Sequence, residues 1–119
     1  MLTNEERARA ARHAQRLVDV MNRSAKGGPK GTMAVPEYDS QEDLDRCHPE
    51  ERGTDFRKFN EFNTEILNGL IAKGVSAKRV TYRYAEFSKW LGSTNPINPS
   101  MRGAYGAYLL AEAAKERTQ

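Results

Sequence analysis

Five side chains between residues 77 and 91 carry most of the chemistry this sequence offers: Lys78, Arg79, Tyr82, Arg83 and Lys89. Cationic groups bind phosphate oxygens and guanine edges, and a tyrosine hydroxyl can bond a phosphate while its ring packs on sugar. Arg12 and Arg16 form a second, smaller cationic group near the N-terminus. Opposite in sign stand Asp39, Glu42, Asp43 and Asp45. Four carboxylates so close invite a calcium reading, but an EF-hand loop needs alternating oxygen ligands and a glycine at its sixth position, and neither is present. Cys47 and His48 are the one adjacent thiol and imidazole. A nucleophile needs a base held against it by a third group, and neighbours along a chain do not provide that. No second pair at zinc spacing accompanies them. The run from Lys26 to Gly31 has lysines among glycines, yet not in the order of a phosphate-binding loop, and it reads as a linker. The residues point to no enzyme, no metal site and no cofactor.

The bulk properties narrow the class. A chain of 119 residues makes one domain with a modest core. Only 38% of it is hydrophobic, so the core must come from well-placed stripes. No run nears the roughly 18 apolar residues of a membrane helix, and the first residues lack a signal-peptide design. One cysteine excludes an internal disulfide. A cytoplasmic protein is the expectation. The net charge of +3 is unevenly spread. Residues 1–31 hold seven Lys/Arg against three acids, residues 32–56 two against eight, and residues 57–119 ten against five. A basic–acidic–basic order suits either nucleic-acid binding or charge balance inside one domain.

These groups need elements to hold them. Thr3 and Glu6 fit a capping box for a helix over 4–24, whose inward stripe is Ala10, Ala14, Leu17, Val18 and Met21. Arg12, Arg16 and Arg23 then share the opposite face, and His13 flanks the stripe as a structural residue. Residues 25–53 form a loop-rich, acidic connection. Within it Pro36 biases Val35 to extended backbone, and Ser40 with Asp43 starts a short helical turn over 41–46. A helix over 54–73 carries the strongest apolar stripe, with Phe56, Phe59, Phe62, Ile66, Leu67, Leu70 and Ile71. Gly74 can end it in the left-handed conformation, and Ser76 can cap a following helix. That helix spans 77–91, its inward face built from Val80, Tyr84, Phe87 and Leu91, with Gly92 as its stop. A strand over Val80–Tyr84 is the competing pattern; the seven- and eleven-residue recurrence favours helix. Asn98 followed by Pro99 starts a last helix over 99–116, small or apolar nearly all round and so expected to be buried on two sides.

The stretch Ile66–Tyr84, with Gly74-Val75-Ser76 followed by Val80-Thr81, resembles the helix-turn-helix of lactose-repressor-type regulators. The resemblance implies a second helix that enters the major groove. Its base- and phosphate-reaching side chains would be Lys78, Arg79, Thr81, Tyr82 and Arg83, beside Ala77. Leu70 stands where that motif favours a small residue, and Arg83 where it favours an apolar one. A fainter likeness joins the region to the helical arm-like domain of tyrosine recombinases, without their catalytic residues.

The sequence thus predicts an all-α bundle of four main helices over 4–24, 54–73, 77–91 and 99–116, and non-enzymatic DNA binding. The expected contact set is Lys78, Arg79, Thr81, Tyr82, Arg83 and Lys89, with Arg12 and Arg16 secondary; helix 99–116 is the expected homodimer seam. The alternative is a protein-binding inhibitor or adaptor, such as a mobile-element protein acting on a host nucleic-acid enzyme, that uses Asp39, Glu42, Asp43 and Asp45 or its helical faces.

Overall fold

Pro36 can give no N–H to a ladder, and the chain sets it on the side of a strand where none is needed. The structure, a computed structural model, describes the backbone of residues 2–24 and 32–117 and the side chains of 2–20 and 32–116. Its order is α1 (Asn4–Ser24), β1 (Met33–Tyr38), α2 (Gln41–Cys47), a 3-10 turn (Pro49–Glu51), α3 (Phe56–Ala72), β2 (Ala77–Tyr82), α4 (Tyr84–Leu91) and α5 (Pro99–Arg117). The linker expected at Lys26–Gly31, and the side chains of Met21 and Arg23, lie outside the described residues.

The two strands pair in parallel, Met33 against Ala77 through Tyr38 against Tyr82. Parallel strands need a long crossover, and here α2 and α3 supply it. Each face of the sheet carries its own core. Val35 meets Ala10, Ala14, Val18, Ile66 and Leu70 from α1 and α3. Tyr38, Val80 and Tyr82 meet Leu44, Cys47, Phe87, Leu91 and Tyr105 from α2, α4 and α5. Leu44, Leu70 and Phe87 are wholly buried, and each such side chain contributes about 1.5–3 kcal/mol relative to exposure. The half-exposed ion pairs contribute about 0–1 kcal/mol each, so apolar burial dominates.

Local signals explain most of the elements. Thr3 N–H donates to Glu6 Oε1 at 2.9 Å and Glu6 N–H to Thr3 Oγ1 at 3.1 Å, a reciprocal cap. Asp43 N–H donates to Ser40 Oγ at 3.1 Å, and Met101 N–H to Asn98 Oδ1 at 2.8 Å. Gly74 does take a left-handed φ of 81° after α3.

The all-α expectation is overturned: the protein is α/β, mostly helical with a two-stranded parallel sheet. The helix expected over 77–91 is a strand to Tyr82 and a helix from Tyr84. Tyr84, Phe87 and Leu91 do follow the helical period. Val80 joins their recurrence because strand alternation turns it and Tyr82 to the same core. β-branched Val80 and Thr81 beside Tyr82 suit a pleated strand, and β1 provides the ladder. Ser76 caps no helix; its carbonyl accepts from Met33 N–H at 2.9 Å and starts the pairing.

The last helix also differs from expectation. Arg102, Tyr105 and Gly106 are buried while Ala104, Ala107 and Tyr108 are exposed, so α5 buries one side. Arg102 reaches inward, donating to the Cys47 carbonyl at 3.2 Å and pairing with Glu50 through both terminal nitrogens. The Tyr82 hydroxyl donates to the Arg102 carbonyl at 2.6 Å. Among the described residues no helix is long and apolar enough to cross a membrane.

At Gly106 an added Cβ would stand 2.7 Å from the Tyr82 hydroxyl and 2.9 Å from Ala34 Cβ. Gly106→Ala should cost about 1–3 kcal/mol by overpacking, read as a lower urea midpoint. In Tyr82→Phe the penalty should shrink, giving a non-zero coupling in the double-mutant cycle. A second prediction concerns acid. The hydrogen bond from Arg102 first, with the charge attraction behind it, holds the Glu50 carboxyl at about 2 against an ordinary 4.5. A lowered folded value stabilises above the unfolded one and is lost as pH falls from about 4.5 toward 2. Stability should therefore drop in that window, and Glu50→Gln should flatten the drop; equal slopes would count against the pair.

Candidate interaction surface

Each strand of a two-stranded sheet has one paired and one outer edge, and the two outer edges here differ. Because Met33 N–H donates to Ser76 C=O, parallel register turns the backbone of Met33, Val35 and Glu37 toward β2. Ala34, Pro36 and Tyr38 face outward. There Asn60 of α3 accepts from Tyr38 N–H at 3.0 Å and donates to the Tyr38 carbonyl at 2.8 Å. Asn63 donates to the Pro36 carbonyl at 2.9 Å, and Pro36 has no donor to satisfy. Two asparagines and a proline thus close most of the outer edge of β1.

On β2 the same register points Ser76, Lys78, Val80 and Tyr82 toward β1, and Ala77, Arg79 and Thr81 outward. Among the described residues the backbone N–H and C=O groups of Ala77, Arg79 and Thr81 meet no hydrogen-bond partner. Their side chains lie on the α3 face. The Thr81 hydroxyl donates to Glu37 Oε1 at 3.0 Å. Arg79 Nε pairs with Glu37 Oε2 at 3.4 Å, and its Nη2 donates to Thr64 Oγ1 at 2.6 Å. Three outward donors and three acceptors alternate along an unoccupied edge, the arrangement that receives an added strand.

The residues expected to read DNA are dispersed. Lys78, Arg79, Thr81 and Tyr82 belong to a strand. Tyr82 is only 2% exposed; alternation turns it into the aromatic core beside Phe87 and Tyr105, so its ring is unavailable to sugar or phosphate. Arg83 precedes α4 and pairs with Asp39 at 2.8 Å and Glu86 at 3.8 Å. Lys78 and Lys89 are exposed, with no ion-pair partner among the described residues. Arg12 and Arg16 sit on the exposed side of α1, where Arg16 approaches His13 Nδ1 at 3.3 Å.

The acids of the alternative, protein-binding reading are engaged locally. Asp43 accepts from Ser40 and from Tyr84 N–H at 3.0 Å, joining the start of α2 to the start of α4. Asp45 accepts from Gln41 and Gly53, and Glu42 pairs with Arg46 at 3.5 Å. Asp39 holds Arg83. Cys47 is buried, and burial first, then the Asp43 charge, pushes its thiol up to about 12. Such a thiol stays protonated at neutral pH.

Neither protein-family models, nor curated proteins, nor solved structures gave a match to this chain. The geometry therefore carries the functional argument. Sequence reasoning overlooked Asn60, Asn63 and Arg102; the alternating Val80-Thr81-Tyr82 run was the signal for the strand edge.

Amide hydrogen exchange tests the edge assignment. In the free protein Lys78, Val80 and Tyr82 should be protected by the ladder, while Ala77, Arg79 and Thr81 exchange at least about tenfold faster. Uniform protection along β2 would mean that its outer edge is already covered.

Proposed function

We propose that this protein is a non-enzymatic binding module that takes an extended, acidic segment of a partner protein as a third strand on β2. One observation carries the reading: among the described residues the outer edge of β2 presents unpaired backbone, while Asn60, Asn63 and Pro36 close most of the outer edge of β1. In strand addition the main-chain bonds give affinity and the alternate side chains give specificity. The surroundings favour acids. Lys78 is exposed on β2 with no ion pair among the described residues, and Arg79 and Arg83 remain part exposed after pairing. A second copy is a poor occupant. An antiparallel two-fold centred on Arg79 sets arginine against arginine, and one centred on Lys78 sets lysine against lysine, and like charges directly opposite are destabilising. Edge lysines of this kind discourage self-pairing.

The test uses two ten-residue peptides, one alternating Val with Glu and one alternating Val with Lys, titrated into labelled protein. The acidic peptide should bind, shift the amides of Ala77, Arg79 and Thr81, and weaken as salt rises. Thr81→Pro removes an outward donor without touching the ladder to β1, and should weaken binding about tenfold or more. Thr81→Val keeps the N–H and should bind like the parent, with urea midpoints confirming that both variants fold. Equal binding by Thr81→Pro, or shifts mapping away from β2, would end the reading. A salt-dependent shift on duplex DNA without one on the acidic peptide would move it to nucleic acid.

A further inference from the structure

A cavity of about 610 Å³ opens between α1, α3 and the β1 edge, on the opposite side of the sheet from the proposed strand addition. The stretch of β1 left uncovered by Asn60 and Asn63 is the part that reaches it: Ala34 lines the cavity, and its outward N–H and C=O have no partner among the described residues. The floor is apolar, with Leu17 and Met33 facing Phe59, Phe62 and Ile66. Polar groups gather at the rim, and most are already occupied. Glu6 takes hydrogen bonds from Thr3 and pairs with Lys58 at 3.0 Å, and Glu51 accepts from the Thr54 hydroxyl at 3.1 Å.

Two groups are not occupied. Arg9 lies over the Phe62 ring at 5.3 Å and has no carboxylate partner among the described residues. His48 Nδ1 is buried without a hydrogen bond, its ring set edge-on to Phe59. An orphaned buried nitrogen calls for a partner. Burial, with the Arg102 charge behind it, disfavours protonation of His48, and burial, with the Arg16 charge behind it, does the same at His13. Among the described residues the guanidinium of Arg9 stands over the apolar floor with no ion pair.

From this arrangement we infer that the cavity is a binding site for a small anionic amphiphile, a carboxylate on an aliphatic or aromatic body. The carboxylate meets Arg9, with Lys58 behind it, and the apolar body lies on Phe59, Phe62 and Ile66. His48 and the Ala34 backbone offer hydrogen bonds to a polar group further in. The volume is that of ordinary small-molecule pockets, roughly 300–1,000 Å³, and an apolar lining with a few placed polar groups is their usual composition. Charge sign decides the class: both rim acids are bonded within the protein, whereas the guanidinium is not.

The experiment follows the fluorescence of anilinonaphthalene sulfonate, an anionic aromatic probe, on the full chain. Dodecanoate should displace the probe and dodecylammonium should not. Arg9→Gln should weaken probe binding about tenfold, as expected for a lost charge-assisted contact. Arg12→Gln, one turn away and outside the cavity, should leave it within about twofold. Amide shifts on adding dodecanoate should fall on His13, Ala34, His48 and Phe62. Failure of the probe to bind, equal displacement by the cationic chain, an unchanged Arg9→Gln variant, or shifts confined to the aromatic side of α5 would each overturn the assignment. Strand addition to β2 stands or falls separately, since none of these variants touches Ala77–Tyr82.

Discussion

A sheet of two strands has no interior strand, so every outward N–H and C=O must find a side chain, water or another chain. Most of this architecture answers that constraint. The crossover from β1 to β2 passes through α3, and α3 returns two asparagines to the strand it left. Pro36 removes a donor where a donor would have been left over. On β2, which comes after the crossover, no later element among the described residues turns back along the outer edge. α4 departs at Tyr84 and α5 crosses the face instead, bringing Gly106 against Tyr82 and Ala34.

Charge follows the same local logic. The acids at the end of β1 and the cations at the end of β2 lie side by side, because parallel pairing sets Glu37 beside Thr81. Glu37 then serves both Thr81 and Arg79, and Asp39 serves Arg83. These contacts are part exposed and too weak to set the fold. Their effect is to fix side-chain direction, leaving the backbone between them clear. Arg102 is a different case: 8% exposed, it ties α5 to the end of α2 through a carbonyl and a carboxylate, and removing either partner would strand a buried charge.

What could be read from the sequence was what depends on neighbours in the chain. The Thr3–Glu6 cap, the Ser40–Asp43 turn, the extended bias before Pro36, the stop at Gly74 and the start at Asn98-Pro99 all act within a few residues, and each is present. The strand at Ala77–Tyr82 showed only as the competing pattern over Val80–Tyr84. Its ladder partner lies 44 residues away, and Val80 falls by coincidence into the helical recurrence of Tyr84, Phe87 and Leu91. The surface was half legible. Arg79 and Thr81 stood out for their side chains, whereas the role proposed for them uses their main chain, which any residue type supplies. Arg102 gave no sign, since an arginine in a helix of small residues reads as solvent-facing until its carbonyl and carboxylate partners are in place.

Synthesis adds an order of events to the closure of β1. Met33–Tyr38 emerges first, then α3 with Asn60 and Asn63, and only afterwards the strand that completes the ladder. A nascent strand with bare edges is an invitation to sticking between chains. By placing its covering amides inside the crossover, the protein carries the groups that blunt most of the older strand's outer edge ahead of β2 in chain order, so the edge left for β2 to cover is the inner one.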